Sequence, residues 1–240
     1  MAESTATTAP RASVAEDLVD VFYTPSTVFE RRRQSSPWPQ ILIVSGLFIV
    51  AAYISFSLLG PVVDAEIQRQ MTRAMASNPS LSAEQMSAAQ SFGRISMLAG
   101  IALSAPISIL VVGLVLWMVG KLFGAEQPLR ASFLVVALSF MPRVLETLLG
   151  ALQSFVVDVN AIPSIYAASL TPARFAPAET SEAMLLLLSR FGPFLLWAYV
   201  ILAIGLAVTG RISKGKAAAA AAIVWVLGTL AQVLPAMMRG

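Results

Sequence analysis

The feature that most constrains this chain is a pair of long apolar runs joined by a short basic hinge. Residues 194–230 read FLLWAYVILAIGLAVTGRISKGKAAAAAAIVWVLGTL, with Arg211, Lys214 and Lys216 in the hinge. Each run approaches the roughly 20 residues that a helix needs to cross the hydrocarbon core of a bilayer. Cytoplasmic loops carry the excess of Lys and Arg, so the hinge reads as a cytoplasmic turn. A chain containing this pair is a membrane protein before anything else about it is read.

Composition agrees. The chain is 57% hydrophobic and 12% charged, and a soluble domain carries about 25% charged residues. It has no cysteine and no histidine. That excludes disulfides, thiol nucleophiles and thiolate or imidazole metal sites, and it removes the side chain most often used as a general base. No metal site and no cofactor is expected. No run of alternating basic and aromatic residues points to nucleic acid. The expected partners are the lipid bilayer and other membrane proteins or a second copy.

Residues 1–13 are rich in Ala, Thr and Ser and read as a disordered tail. Residues 14–37 form an amphipathic cytoplasmic segment. Val14, Leu18, Val21 and Phe22 recur at helical spacing, with Glu16, Asp17 and Asp20 placed opposite. A second short helix starts at Thr24-Pro25, with Thr24 as N-cap, and ends in Arg31, Arg32 and Arg33. These arginines carry two readings: they meet anionic lipid headgroups, or they only hold the N-terminus inside.

A five-span membrane domain follows over residues 38–237, with spans at about 38–59, 95–119, 131–157, 183–209 and 216–237. Between spans one and two, Val63, Ile67 and Met71 predict a helix. Asn78-Pro79 breaks it, and Ser82-x-x-Gln85 is a capping box for the next. The two helices are expected to project beyond the membrane and pack through Val63, Ile67 and Met71 against Met86 and Phe92. Gly100, Ser104 and Ser108 on span two, with Gly205 on span four, are small residues that allow close helix packing in lipid. Pro106 predicts a kink. A short helix is expected near Ile162 to Leu170, and Thr180 or Ser181 caps span four.

Span three carries the central ionisable residues. Pro142, Arg143 and Glu146 lie near its middle, and Arg143 and Glu146 are i and i+3 neighbours able to pair. Arg190 lies in the first third of span four. Ionisable groups inside a span are functional candidates by default. The alternative is that Pro142 divides the span and leaves the pair structural. Lys121, Arg130, Arg211, Lys214 and Lys216 sit on loops assigned to the inner surface with Arg31, Arg32 and Arg33. The resulting fold is an all-α integral membrane five-helix bundle, N-terminus cytoplasmic and C-terminus outside.

Four motifs bear on family: VFYTPSTVFERR before the first span, the Gly-bounded basic loop GKLFGAEQPLRAS, the Met141-Pro142 step, and LWAYVILAIGLAVTGRISKGKAA. The last contains a basic turn that reads Gly210, Ile212-Ser213, Lys216-Ala217, a G-x-x-S-x-x-K-A spacing. Together they resemble the Yip family, the Ypt/Rab-interacting membrane proteins and their bacterial relatives. The resemblance implies five spans with a cytoplasmic N-terminus and, for eukaryotic members, a role in vesicle traffic through small GTPases and partner Yip proteins. This chain lacks the long polar N-terminal region of those members. Its Ala-rich, Cys-free composition reads as bacterial and places it in the cytoplasmic (inner) membrane. For bacterial relatives the family supplies a fold without a settled activity.

Two functions remain open. One is a non-enzymatic, membrane-organising or partner-binding scaffold. The other is a small transporter or channel subunit with a polar path involving Arg143, Glu146 and Arg190. An enzyme is not expected, because no His, Cys, paired intramembrane Asp or G-x-S-x-G elbow exists.

Overall fold

Apolar runs with few breakers become long helices, and the prolines mark where they divide. The computed structural model describes residues 13–77, 83–156, 158, 162, 164–177 and 179–238. Its helices are α1 (Val14–Asp20), α2 (Pro25–Arg32), α3 (Trp38–Leu58), α4 (Gly60–Ser77), α5 (Ala83–Leu122), α6 (Leu129–Ser139), α7 (Met141–Leu152), α8 (Glu182–Ser189), α9 (Pro193–Gly210) and α10 (Lys214–Met237). Five stretches are long and apolar enough to span a bilayer: Trp38–Leu58, Ser91–Leu122, Leu129–Phe155, Pro193–Gly210 and Lys214–Met237. The protein is an all-α integral membrane bundle.

The middle of the bundle is α6, where Ala131, Ser132 and every residue from Leu134 to Ser139 are buried. It packs between α3, α5 and α9, while α10 closes the bundle against α9, α5 and α8. Phe48 and Phe140 meet edge to face at 5.2 Å and fix the middle of α3 against the α6–α7 junction. Where α10 meets its neighbours it buries Ala217, Ala220 and Ala221. Small residues matter there because lipid tails are as apolar as Leu, so helices gain by close approach rather than by escape from water.

Several expectations are sharpened or corrected. Span three divides at the Pro142 step, as its alternative reading has it, with Phe140 closing α6 and opening α7 and Pro142 in the first turn of α7. A proline is tolerated there because its missing N–H would have no helical partner. Span four is also divided. Gly192 is extended (φ −62°, ψ 138°) before Pro193, so the spanning part is α9 alone and α8 is a separate short helix capped by Ser181. The cause is the steric demand of proline on the residue before it.

Residues 164–170 form turns rather than a helix, followed by a 3-10 turn at Pro172–Phe175. Helix α5 runs unbroken through Pro106. Phe92 is 71% exposed and so does not close the expected apolar stripe, although Val63 is buried. The side chain of Met86, the Asn78-Pro79 break and the Ser82 cap lie outside the described residues.

The small-residue stripe is corrected as well. Gly100 and Ser104 are exposed, Ser108 is half-buried, and a Cβ on Gly100 would meet nothing within 4 Å. Gly205 alone of the four is a close-approach site. A Cβ there would lie 2.7 Å from Val135 Cγ1 and 2.9 Å from the Phe29 ring.

The N-terminal segment departs furthest from expectation. Ser13 is not tail: its side chain accepts from the Glu16 N–H while the Glu16 carboxylate accepts from the Ser13 N–H. This capping box satisfies two orphan donors of α1. Thr24 makes no side-chain cap, and its hydroxyl donates instead to the Asp20 carbonyl. Asp17, expected on the polar face, is fully buried. The pair α1–α2 is a helical hairpin docked on the bundle, with Val21, Val28 and Phe29 buried.

Candidate functional site

Two groups of polar residues stand out, one at each end of α9. At the basic-loop end, three segments distant in sequence are fastened together. Helix α5 terminates through Gly124, whose φ of +82° is the left-handed conformation open to glycine. The Gly124 N–H donates to Lys121 O (3.0 Å) and the Ala125 N–H to Gly120 O (2.9 Å). This is a Schellman arrangement that satisfies the last carbonyls of the helix. Lys121 Nζ adds a bond to Ala125 O (3.0 Å).

The next residues clasp the end of α9. The Glu126 N–H donates to Gly210 O (2.9 Å), and the fully buried Gln127 lies between Gly120 and Gly210. A Cβ on Gly210 would sit 2.7 Å from Gln127 Oε1 and 2.8 Å from Ala125 Cβ, so glycine is needed for this approach. Arg211 follows in the left-handed region (φ 53°, ψ 37°), and Ser213 caps α10 by accepting from the Lys216 N–H (3.3 Å). Arg211 pairs with Glu126 at 3.6 Å, both largely exposed.

The hairpin is the third segment. Arg31 pairs with Asp17 (2.6 Å) and Asp20 (2.8 Å), and Arg32 pairs with the other Asp17 oxygen. Burial acts against the Arg31 charge. Hydrogen bonds to Asp20 and Asp17 and their negative charges outweigh it and hold the guanidinium above its ordinary pKa. Arg33 Nη2 reaches Thr209 O at the end of α9 (3.5 Å), a carbonyl near the helix terminus. Thus Arg31 and Arg32 meet carboxylates, whereas Arg130, Lys214 and Lys216 are exposed.

At the opposite end, Arg143, Glu146 and Arg190 come together as a neighbourhood. Arg143 Nη1 lies 3.4 Å from Glu146 Oε2, with the carboxylate mostly buried and the guanidinium about one-third exposed. Pro142 beside them is buried and starts the helix that aims both. Glu146 Oε1 lies against Gly192, 3.5 Å from where a Cβ would be, and Thr171 Cγ2 approaches the same position to 2.8 Å. Arg190 is 9% exposed. Its Nε donates to Thr229 Oγ1 (3.2 Å), and its Nη2 and the Tyr199 hydroxyl both lie against Gly228, each 3.6 Å from where a Cβ would be. Trp225 Nε1 donates to Arg190 O (3.2 Å), and the Trp225 ring meets Phe191 edge to face.

Asp17, Gln127, Tyr199, Trp225 and Thr229 were not singled out from the sequence. Asp17 had a readable signal, an acidic helix one short turn before a basic one. The others had none: Trp225 and Thr229 meet Arg190 from 35 and 39 residues away, Tyr199 is one more aromatic in an apolar run, and Gln127, bonded to Ser132, is a single amide in a loop.

A family model, the Yip1 domain, matches residues 19–234. The chain is also 29% identical over 204 residues to "Membrane protein YknW" of Bacillus subtilis (strain 168), covering 85% of this chain and 82% of that one. No solved structure matches. The family match begins at the end of α1 and ends within α10, so it contains α2, the 123–128 loop and the 210–213 turn that meet at one end of the bundle, and leaves out most of α1 with Asp17. The motifs that suggested a resemblance are thus contacting parts of one assembly, and the chain belongs to the Yip1 domain family.

Proposed function

We propose that this protein is a non-enzymatic membrane scaffold of the bacterial cytoplasmic membrane, with its N-terminus and basic loops on the cytoplasmic side. The observation that carries this reading is how its polar groups are used. Asp17, Arg31 and Arg32 close the hairpin, Arg33 and Glu126 bind the end of α9, Ser213 caps α10, and Arg190 ties α8 to α10. Apart from Ser213, which closes the start of its own helix, each holds one segment to another. A scaffold needs a rigid bundle with outward faces free for partners, and α3 and α5 offer long exposed apolar faces. Blue-native electrophoresis and crosslinking in native membranes test the reading: the expected result is a discrete complex with itself or another membrane protein. A strictly monomeric protein without neighbours overturns it.

A second reading, a small transporter or channel subunit, is favoured by the convergence of Arg143, Glu146 and Arg190. It requires Glu146→Gln and Arg143→Ala to abolish flux in liposomes while leaving the protein folded. The scaffold reading expects no such flux to lose, and expects these variants to affect only stability.

A further inference from the structure

The hairpin turns a polar face outward at a depth where lipid tails surround the rest of the bundle. Three contacts set that depth. Phe22 meets Trp197 edge to face at 5.2 Å, the Phe29 ring lies on Gly205, and Arg33 reaches Thr209 O. The contacts advance in step along both helices, so α2 runs beside α9 in the same direction. Trp197 precedes Gly210 by thirteen residues, which at 1.5 Å per residue places the hairpin tip about 20 Å from the basic-loop end of a span only about 27 Å long.

Along this length no residue of α9 from Ile201 to Gly210 is exposed. The outward surface belongs to α2 and its approach, and Tyr23, Thr24, Ser26, Thr27 and Glu30 are exposed there. The α5 flank is different, with Leu114, Met118 and Leu122 exposed down to the same end of the bundle. Hydroxyls and a carboxylate facing hydrocarbon have no hydrogen-bond partners, whereas exposed Leu and Met suit it. At the upper edge of the polar face stand Tyr23 (81% exposed) and Trp197 (37% exposed), the residue types that collect at membrane–water boundaries.

We propose that the α2 flank is a hydrated notch, into which water and the lipid headgroups of the leaflet at the basic-loop end are drawn up to Tyr23 and Trp197. The bilayer is then locally thinned on this side and of full thickness along α5, a one-sided hydrophobic mismatch. The ion pairs of Asp17 with Arg31 and Arg32 tie α1 to α2 and so neutralise the charges of the hairpin within itself, while Phe29 on Gly205 and Arg33 on Thr209 O hold it to α9. The inference rests on the five spans and is independent of the scaffold role.

The chain contains no cysteine, so single-cysteine variants report directly. Ser26→Cys, Thr27→Cys, Met118→Cys and Lys214→Cys are reconstituted in phosphatidylethanolamine–phosphatidylglycerol vesicles, with a charged maleimide on both sides of the bilayer. A thiol reacts as the thiolate, which forms in water and not among lipid tails. The expected labelling rates at Ser26→Cys and Thr27→Cys lie within about threefold of Lys214→Cys, with Met118→Cys slower by on the order of tenfold or more. If both hairpin cysteines label as slowly as Met118→Cys, the notch does not exist and tails or a protein cover the face. Oxidative disulfide dimers through Ser26→Cys would identify a second copy as that cover and equally overturn the proposal.

Discussion

The two ends of α9 handle charge in opposite ways. At the basic-loop end, a buried carboxylate, Asp17, sits between two guanidiniums that still touch water, and the main-chain carbonyls of α9 are taken up by Glu126 N–H and Arg33. At the other end a buried cation, Arg190, is met by the Thr229 hydroxyl, while Glu146 in the same neighbourhood is paired to Arg143. The first arrangement is a set of complementary fasteners whose loss leaves a bare buried charge. The second is a cation held by a hydroxyl dipole, from which the charge itself can be removed with less harm. The difference teaches that an arginine in a membrane protein is read by its partners rather than by its depth.

The sharpest break of this comparison is Asp17→Asn. Removing one partner of a buried ion pair leaves the others uncompensated, and the loss in hairpin closure should be about 3 kcal/mol, the low end for such changes because Arg31 and Arg32 keep some contact with water. Trypsin cleavage at Arg31, Arg32 and Arg33 in detergent-solubilised protein measures it, with cleavage expected to accelerate about 100-fold if it follows the open population. A hairpin held only by attraction to anionic lipid would be cut at an unchanged rate.

Next in size is Gly205→Ala, set against Gly100→Ala. The first methyl collides with Val135 and with Phe29 of the hairpin and should cost about 2 kcal/mol, because the ring and the β-branched side chain must both shift. The second enters open space and should stabilise α5 by up to about 1 kcal/mol through helix propensity. Thermal unfolding of the two variants in the same detergent decides it. Shifts of the same sign would mean that the close approach of α2, α6 and α9 is not a determinant of stability.

These glycines also mark how far the sequence could be read. Length and hydrophobicity located four of the five spans to within a few residues and the end of the fourth, whose start was set too early because the Gly192-Pro193 break was read through. Spans are legible this way because helices pair their own backbone groups inside a bilayer. Residue type alone narrowed the cap of α8 to Thr180 or Ser181, and Ser181 fills it. Gly100 and Gly205 were indistinguishable by the same means, since which face of a span meets protein is decided by partners elsewhere in the chain. The hairpin defeated the reading for a related reason. Its amphipathic pattern predicts a surface helix equally well on a membrane or on another helix, and only the partner of Asp17 separates the two. The polar group at the far end was half legible: Arg143, Glu146 and Arg190 stood out, while Tyr199 and Thr229 are ordinary residues in apolar runs.

Arg190→Met tests the other half of the comparison. The variant loses the hydrogen bond to Thr229 but also removes a charge from a buried site. These opposing terms should leave a destabilisation of about 1 kcal/mol, well below that of Asp17→Asn. Thr229 retains its bond to Trp225 O (2.8 Å), which limits the damage on α10. Differential scanning fluorimetry on both variants measures the ratio. A larger loss for Arg190→Met than for Asp17→Asn would reverse the assignment of which end holds the bundle together.

The smallest effect is expected at the hinge that first marked this chain as a membrane protein. Arg211 occupies left-handed backbone, which costs a non-glycine residue about 1–2 kcal/mol, and its pair with Glu126 is largely exposed and worth at most about 1 kcal/mol. Arg211→Gly removes both terms and adds freedom to the unfolded chain, so the net change should be a stabilisation of about 0.5 kcal/mol or less. Raising salt in the wild-type protein should screen the ion pair and leave the strain, narrowing the stability margin between wild type and turn variants at other residues while widening the gain from Arg211→Gly. A clear destabilisation by Arg211→Gly would mean that the Glu126 contact, and not the Glu126 N–H bond to Gly210 O, is what fastens the 123–128 loop to α9.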